Sequence, residues 1–186
     1  LNNLGGHLSD LGRFEEALER AREAHAIYAR LAEARPLRWA DSLLTSGLWT
    51  QFLEWHAGSG DRRILASWPD RAARAELRAH RRPLLLGWHA MVEACFEDRD
   101  RAGSGIEKMR VVANTFATMV PHQREPLELY HLLATAYLVR YAPPSPECRA
   151  AYAQAWQDFL NTHGNRMPAI VTETLKKLKC APPESG

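Results

Sequence analysis

The sequence predicts an all-α protein built from four antiparallel helix hairpins and one short final helix. Three observations in the 186 residues support this prediction. Apolar residues recur at steps of three and four residues, which is the period of one face of an α-helix. Pro-Leu pairs begin at Pro36, Pro83 and Pro126, at intervals of 47 and 43 residues. Breaks rich in glycine or proline lie between these pairs, where the two helices of a hairpin would join.

The first hairpin, residues 1–24, contains two helical faces that meet at one turn. Its first helix has a stripe of leucines at Leu1, Leu4, Leu8 and Leu11. Its second helix has alanines at the same spacing, and their small side chains let the two helices approach closely. Gly12 suits the turn because glycine adopts a positive φ without strain. We therefore expect Leu8 and Ala17 to be buried where the two helices meet.

This hairpin resembles a tetratricopeptide repeat. The resemblance covers residues 1–36 and is carried by Leu4, Gly5, Leu8, Gly12, Phe14, Ala17, Ala21 and Ala24. The long second helix is similar to that of the variety with about 42 residues per repeat, which occurs in kinesin light chains and in long bacterial arrays. The resemblance implies a right-handed α-solenoid that binds proteins or peptides and is not an enzyme.

The later hairpins lack this signature and are defined by their punctuation. Proline suits the first turn of a helix, so each Pro-Leu pair is expected to begin the leading helix of a hairpin. The breaks within these hairpins are Gly58-Ser59-Gly60, Gly103-Ser104-Gly105 and Pro143-Pro144-Ser145-Pro146. The predicted single domain covers residues 1–180, with repeats at 1–36, 37–82, 83–124 and 125–163, a capping helix at 166–180 and a disordered tail at 181–186.

Two elements depart from a regular hairpin. The return helix of the second hairpin, which starts at Asp61, is interrupted at Trp68. A new helix is expected from Pro69 to about Arg81, because proline is accepted at the first helical position. The final segment, residues 168–179, has apolar residues on one face and lysines elsewhere. That pattern is typical of a helix that covers the end of a stack.

Composition and charge exclude several partner classes. The 24 basic and 22 acidic residues give a net charge of +2, which provides no general attraction to nucleic acid or to an anionic membrane. No stretch approaches the roughly 20 apolar residues of a membrane span. The cysteines, Cys95, Cys148 and Cys180, are odd in number and widely spaced, as is typical of reduced thiols. We therefore expect a cytoplasmic protein with neither a nucleic-acid nor a membrane partner.

The sequence opens inside a helical pattern at Leu1. We expect it to be the C-terminal fragment of a longer array. A helical repeat buries apolar surface against both neighbours, so the first hairpin would keep one apolar side uncovered. Weak self-association through this end follows as an expectation.

Motifs for catalysis and metal binding are missing from the sequence. It has no glycine-rich phosphate loop, no Cys-x-x-Cys pair, no His-Glu-x-x-His and no nucleophile elbow. No two of the eight histidines lie three or four residues apart, so we predict neither a metal site nor a cofactor. Cys95 lies in an apolar run and is expected to be a buried structural thiol.

The resemblance also implies a peptide-binding groove. In tetratricopeptide repeats the side of the first helix away from its packing stripe lines a concave groove, and the asparagine before the Leu-Gly pair bonds the peptide backbone; Asn3 has that position here. An arginine cluster over residues 71–82 is either a solvated face or a clamp for acidic groups of a partner. The predicted groove contacts are Asn2, Asn3, Gln51, Trp49, Trp55, Arg74 and Arg78. The alternative for Asn2 and Asn3 is that both are only solvated residues at a helix start.

These observations favour a non-catalytic scaffold that binds a protein or peptide, with an acidic partner fitting the arginines. Two alternatives stay open at this stage. One is a regulatory or sensory segment of a multidomain signalling protein, beside an ATPase or a protease. The other, which the sequence favours least, is an enzyme on a helical scaffold.

Overall fold

The computed structural model describes residues 2–75, 77, 81–119, 128–164 and 166–183. Within these ranges the chain is all-α and contains no strand, which confirms the predicted class. The helices are α1 (Asn2–Asp10), α2 (Phe14–Ala34), α3 (Pro36–His56), α4 (Arg62–Ala66), α5 (Trp68–Arg74), α6 (Arg81–Asp100), α7 (Ile106–Thr118), α8 (Glu128–Tyr141), α9 (Pro146–Thr162) and α10 (Ala169–Lys177). None of them has both the length and the apolar character that a bilayer crossing requires.

The proline and glycine punctuation marks helix ends as predicted. Pro36 begins α3, and Pro83 lies in the first turn of α6, where its missing N–H has no helical partner in any case. Pro126 lies outside the described residues. The three predicted breaks separate α3 from α4, α6 from α7, and α8 from α9. The last break ends at Ser145, whose hydroxyl accepts a hydrogen bond from the Cys148 amide and caps α9.

The return half of the second hairpin is shorter than predicted. Asp61 caps α4, and the second short helix, α5, ends at Arg74 rather than near Arg81. The chain turns extended at Ala75, and Arg81 already belongs to α6. There Arg81 is held by both carboxylate oxygens of Asp41 on α3, each at 3.0 Å from its Nε. The arginine cluster is therefore divided between two helices.

Successive helices pack in chain order. α1 packs on α2, α2 on α3, α6 on α7, α7 on α8, and α8 on α9, while α4 and α5 pack on α6. The first helices of the later hairpins also adjoin, since α3 contacts α6 and α6 contacts α8. α10 departs from this order because it contacts both α1 and α8. The final helix thus spans from the first hairpin to the fourth instead of covering only one end.

The packed face of α1 is not centred on its leucine stripe. Leu8 is 8% exposed and Ser9 is fully buried, whereas Leu4 is 48% and Leu11 63% exposed. The packed face includes Gly5, where an added Cβ would lie 3.4 Å from the Ala17 carbonyl oxygen. Small residues allow the backbones of α1 and α2 to touch there, so the buried face is rotated toward them by roughly 70° around the helix.

This rotation makes Leu8 and Leu11 a matched pair for a stability measurement. Leu8→Ala should lower the free energy of unfolding by about 2–4 kcal/mol, because it removes a buried side chain and leaves a cavity. Leu11→Ala should change it by less than about 0.5 kcal/mol, because that side chain is mostly in water. Urea unfolding followed by circular dichroism measures both. Equal effects of the two substitutions would contradict the described packing.

Candidate protein-interaction site

The seven predicted groove contacts do not form one exposed surface. Asn3 and Arg74 are exposed, on α1 and at the end of α5. The side chain of Asn2, and Arg78 altogether, lie outside what the structure describes. Trp55 and Gln51 are buried, and Trp49 is partly buried. Burial leaves Trp55 and Gln51 almost no surface for a partner, so we assign both to packing.

Gln51 and Trp55 have clear structural roles. The Gln51 amide nitrogen donates to a Glu54 carboxylate oxygen at 2.7 Å. The other carboxylate oxygen of Glu54 pairs with Arg22 at 2.9 Å, which links α3 to α2. Trp55 stacks on Phe52, with ring centroids 5.8 Å apart. These contacts orient α3 within the core instead of presenting polar groups to a ligand.

Trp49 belongs to an aromatic row that joins the first helices of the hairpins. Its ring lies 6.4 Å from that of Trp88 on α6, and Trp88 stacks on Tyr130 of α8 at 5.0 Å. A Cβ on Gly5 of α1 would lie 3.7 Å from the Trp49 indole nitrogen, so the row reaches the first hairpin. The spacings along the chain are 44 residues from Gly5 to Trp49, 39 from Trp49 to Trp88 and 42 from Trp88 to Tyr130. This recurrence is visible in the sequence.

The C-terminal segment, residues 166–183, packs on a surface formed by α1, α8 and α9, which we call its seat. The segment comprises α10 and short non-helical stretches on either side of it. The side chains that α10 buries are Ile170, Val171, Thr174 and Leu175, followed by Leu178 and Cys180 just after the helix. Ala169, the first residue of α10, lies against Gly12, just after the end of α1. One apolar face of the segment is therefore fully covered.

Two tyrosines hold the backbone at the end of this segment. The Tyr141 hydroxyl on α8 donates to the Leu178 carbonyl at 3.1 Å, and the Tyr152 hydroxyl on α9 donates to the Ala181 carbonyl at 2.8 Å. Burial raises the pKa of both phenols, so both stay protonated and able to donate. Carbonyl groups occur in every peptide, so this pair can hold a chain independently of its side chains.

A basic cavity lies beside this tyrosine pair. Its volume is about 720 Å³, and it is lined by Arg140, Arg149, Tyr152 and the tail residues Ala181 and Pro183, among others. The Arg140 guanidinium lies 5.5 Å from the centre of the Tyr141 ring, a cation–π distance. The lining of the cavity thus combines apolar side chains with two arginines.

The C-terminal end of α10 has one residue in an unfavourable backbone conformation. The Cys180 amide bonds the Leu175 carbonyl at 2.9 Å and the Lys179 amide bonds the Lys176 carbonyl at 3.0 Å, which is a Schellman motif. The same motif ends α1 and α3 at Gly12 and Gly58. In α10 the left-handed position is Lys179, with φ of 55°, where a Cβ crowds the backbone.

His56, at the end of α3, lies near Glu173 and Lys177 of α10, since the three residues line one surface depression. Its ring lies 4.3 Å from Phe14, and its Nε2 atom is buried without a hydrogen-bond partner among the described residues. Burial, reinforced by the charge of Lys177 on α10 and opposed by that of Glu173, lowers the pKa of His56 to about 4. A surface depression of about 530 Å³ is lined by these groups and by the start of α2.

The described residues give no metal-binding cluster. No group of three or more His, Cys, Asp and Glu side chains in this part of the chain is arranged to hold a metal ion. Cys95 is fully buried, as predicted, and burial raises the pKa of its thiol well above the ordinary value. The expected lack of a metal, a cofactor and an enzymatic activity stays a prediction.

Lys179 provides a direct test of the Schellman motif in α10. Lys179→Gly should stabilise α10 by about 1 kcal/mol, because glycine removes the Cβ clash at positive φ. Lys176→Gly, three residues earlier and inside the helix, should destabilise it by about 1 kcal/mol through lower helix propensity. Hydrogen exchange of the α10 amides measures both changes. Two substitutions acting in the same direction would show that Lys179 is not left-handed.

His56 provides a pH test. Its pKa in the folded chain, about 4, lies below the ordinary value of 6.5, so the unfolded chain takes up the proton first as the pH falls. Stability should therefore be full above pH 6.5 and decline toward pH 4, by about 2 kcal/mol from this group. His56→Phe keeps the ring packing and should remove that part of the decline in urea unfolding. Parallel pH curves for the two proteins would contradict the assignment.

Comparison with known proteins does not assign the chain to a family. No protein-family model matches it, and no curated protein or solved structure shows significant similarity to it. The resemblance to tetratricopeptide repeats therefore depends on the residues of the first hairpin alone.

Proposed function

We propose that the chain is a non-catalytic scaffold of the tetratricopeptide type, an α-solenoid that binds a protein or a peptide. The order of helix contacts supports the solenoid, since each hairpin packs on the next along the chain. The aromatic row supports it as well, because Trp49, Trp88 and Tyr130 recur at intervals of 39 and 42 residues. Both features are those of units that bury apolar surface mainly against their neighbours.

One observation carries the binding function. The structure holds its own C-terminal segment by two tyrosine hydroxyls on backbone carbonyls and by an apolar seat for one face of a helix. This combination gives affinity through the backbone and specificity through side-chain pockets, as in other modes of peptide recognition.

The charge distribution supports an acidic partner. Arg71 and Arg74 on α5 are exposed, and neither forms an ion pair with another described residue. Guanidinium groups in this state are available to carboxylates of a bound protein. The free thiols Cys95, Cys148 and Cys180 are typical of the cytoplasm, where we place the protein.

Affinity capture followed by calorimetry tests the function. Proteins captured on the tagged chain from its native lysate are identified by mass spectrometry, purified, and titrated against the chain. Saturable binding of at least one of them is the expected result. If none binds in purified form, the scaffold function is wrong.

The same titration tests the surface contacts. Asn3→Ala should weaken binding by about 1–2 kcal/mol, the usual loss for a polar contact with a partner. Arg74→Ala should weaken binding of an acidic partner and make it less sensitive to salt. Gln157→Ala, on the exposed side of α9, is the control and should have no effect. Unchanged affinity for both variants would place the partner on another surface.

A further inference from the structure

We propose that the C-terminal segment, residues 166–183, is an internal ligand that occupies the binding site of an amphipathic partner helix, and that the partner displaces it. The inference deepens the proposed function, on which it rests, by naming the class of partner and the regulation of the site. The partner is a helix whose apolar side chains have the pattern of the segment itself, at positions equivalent to Ile170, Val171, Thr174, Leu175 and Leu178.

The first argument concerns the place of α10 in the packing. From α1 to α3 and from α6 to α9, each helix packs on its sequence neighbour, and the contact between α3 and α6 joins the two sets without α10. α10 packs on α1 and α8 of this set. The connector that precedes it starts after Thr162, the last residue of α9, and includes Gly164, which has a positive φ. α10 therefore lies against the other helices as a bound peptide would.

The second argument concerns the quality of the contact. The Thr174 hydroxyl of α10 and the His56 Nε2 atom of α3 are both buried, and neither has a hydrogen-bond partner among the described residues. One unpaired polar group thus lies on α10 itself and one lies on α3 beside Glu173 and Lys177 of α10, and a buried polar group without a partner costs free energy in the docked state. Lys179 adds a strained backbone position, the one non-glycine residue with positive φ in the described chain.

These three defects have a common consequence. The seat binds the segment through apolar contacts and two tyrosine bonds, but a ligand without the defects would bind it more tightly. Elements that move in regulation come from the least stable part of a fold. A covalently attached ligand that fits imperfectly remains in place until a better one arrives, because attachment gives it a high effective concentration.

An exchange experiment on the full chain tests the proposal. A specific protease sequence is inserted after Gly164, in the exposed connector, and the chain is cut so that the segment stays bound only by non-covalent contacts. The probe is a fluorescein-labelled peptide of residues 166–183, followed by anisotropy. It should bind the cut chain, and should bind the uncut chain at least about 100-fold more weakly, because the tethered segment competes.

Peptide variants make the test specific. Val171→Asp in the probe should abolish binding, whereas Lys176→Gln, on the exposed face, should leave it unchanged. A probe with Thr174→Val and Lys179→Gly should bind about 5- to 10-fold more tightly, since it lacks the unpaired hydroxyl and the strained residue.

Two results would overturn the proposal. Loss of the helical circular dichroism of the whole chain after cutting and dilution would show that α10 is an integral part of the fold. A cut chain that stays folded but never takes up the probe would show that the seat does not exchange. If a captured partner binds cut and uncut chains equally and the probe does not compete with it, this inference fails while the proposed function stands.

Discussion

The contact of large aromatic rings between the first helices of successive hairpins is the interaction on which the remaining structure depends. Trp49, Trp88 and Tyr130 each fill the space between two helices, and burial of such a ring stabilises the fold by roughly 2–3 kcal/mol. The row fixes the distance between α3, α6 and α8. That distance in turn decides how the ends of these helices face the C-terminal segment.

Ion pairs also connect neighbouring helices. Asp41 on α3 pairs with Arg81 on α6, and Glu97 on α6 pairs with Lys108 on α7 at 3.2 Å. These groups are partly exposed, so each contributes at most about 1 kcal/mol. Their main effect is to orient one helix against the next, since a shifted register would separate the charges. Apolar burial supplies the stability and the charges supply the alignment.

The C-terminal segment connects this architecture to the proposed function. A helical stack with adjoining first helices offers a surface along their ends, and in this protein α10 and the tail residues cover part of it. The hydrogen bonds from Tyr141 and Tyr152 to backbone carbonyls stabilise the docked segment. The unpaired Thr174 hydroxyl and the strained backbone of Lys179 destabilise it. This combination is what the proposed exchange with a competing helix requires.

The sequence by itself determined the helical class, the breaks between helices and the burial of Leu8, Ala17 and Cys95. These properties depend on local periodicity and on the backbone preferences of proline and glycine, which act within a few residues. Even the aromatic row could be found in advance, since its members recur at a regular interval along the chain.

Only the tertiary structure decided which residues reach the surface and where α10 lies. Gln51 and Trp55 were predicted contacts, but neighbouring helices bury both. The leucine stripe did not define the packed face of α1, because the close approach of two backbones at Gly5 outweighs the burial of Leu4 and Leu11. The seat of α10 is formed by residues distant in sequence. Periodicity describes one helix at a time, whereas a binding surface depends on how several helices meet.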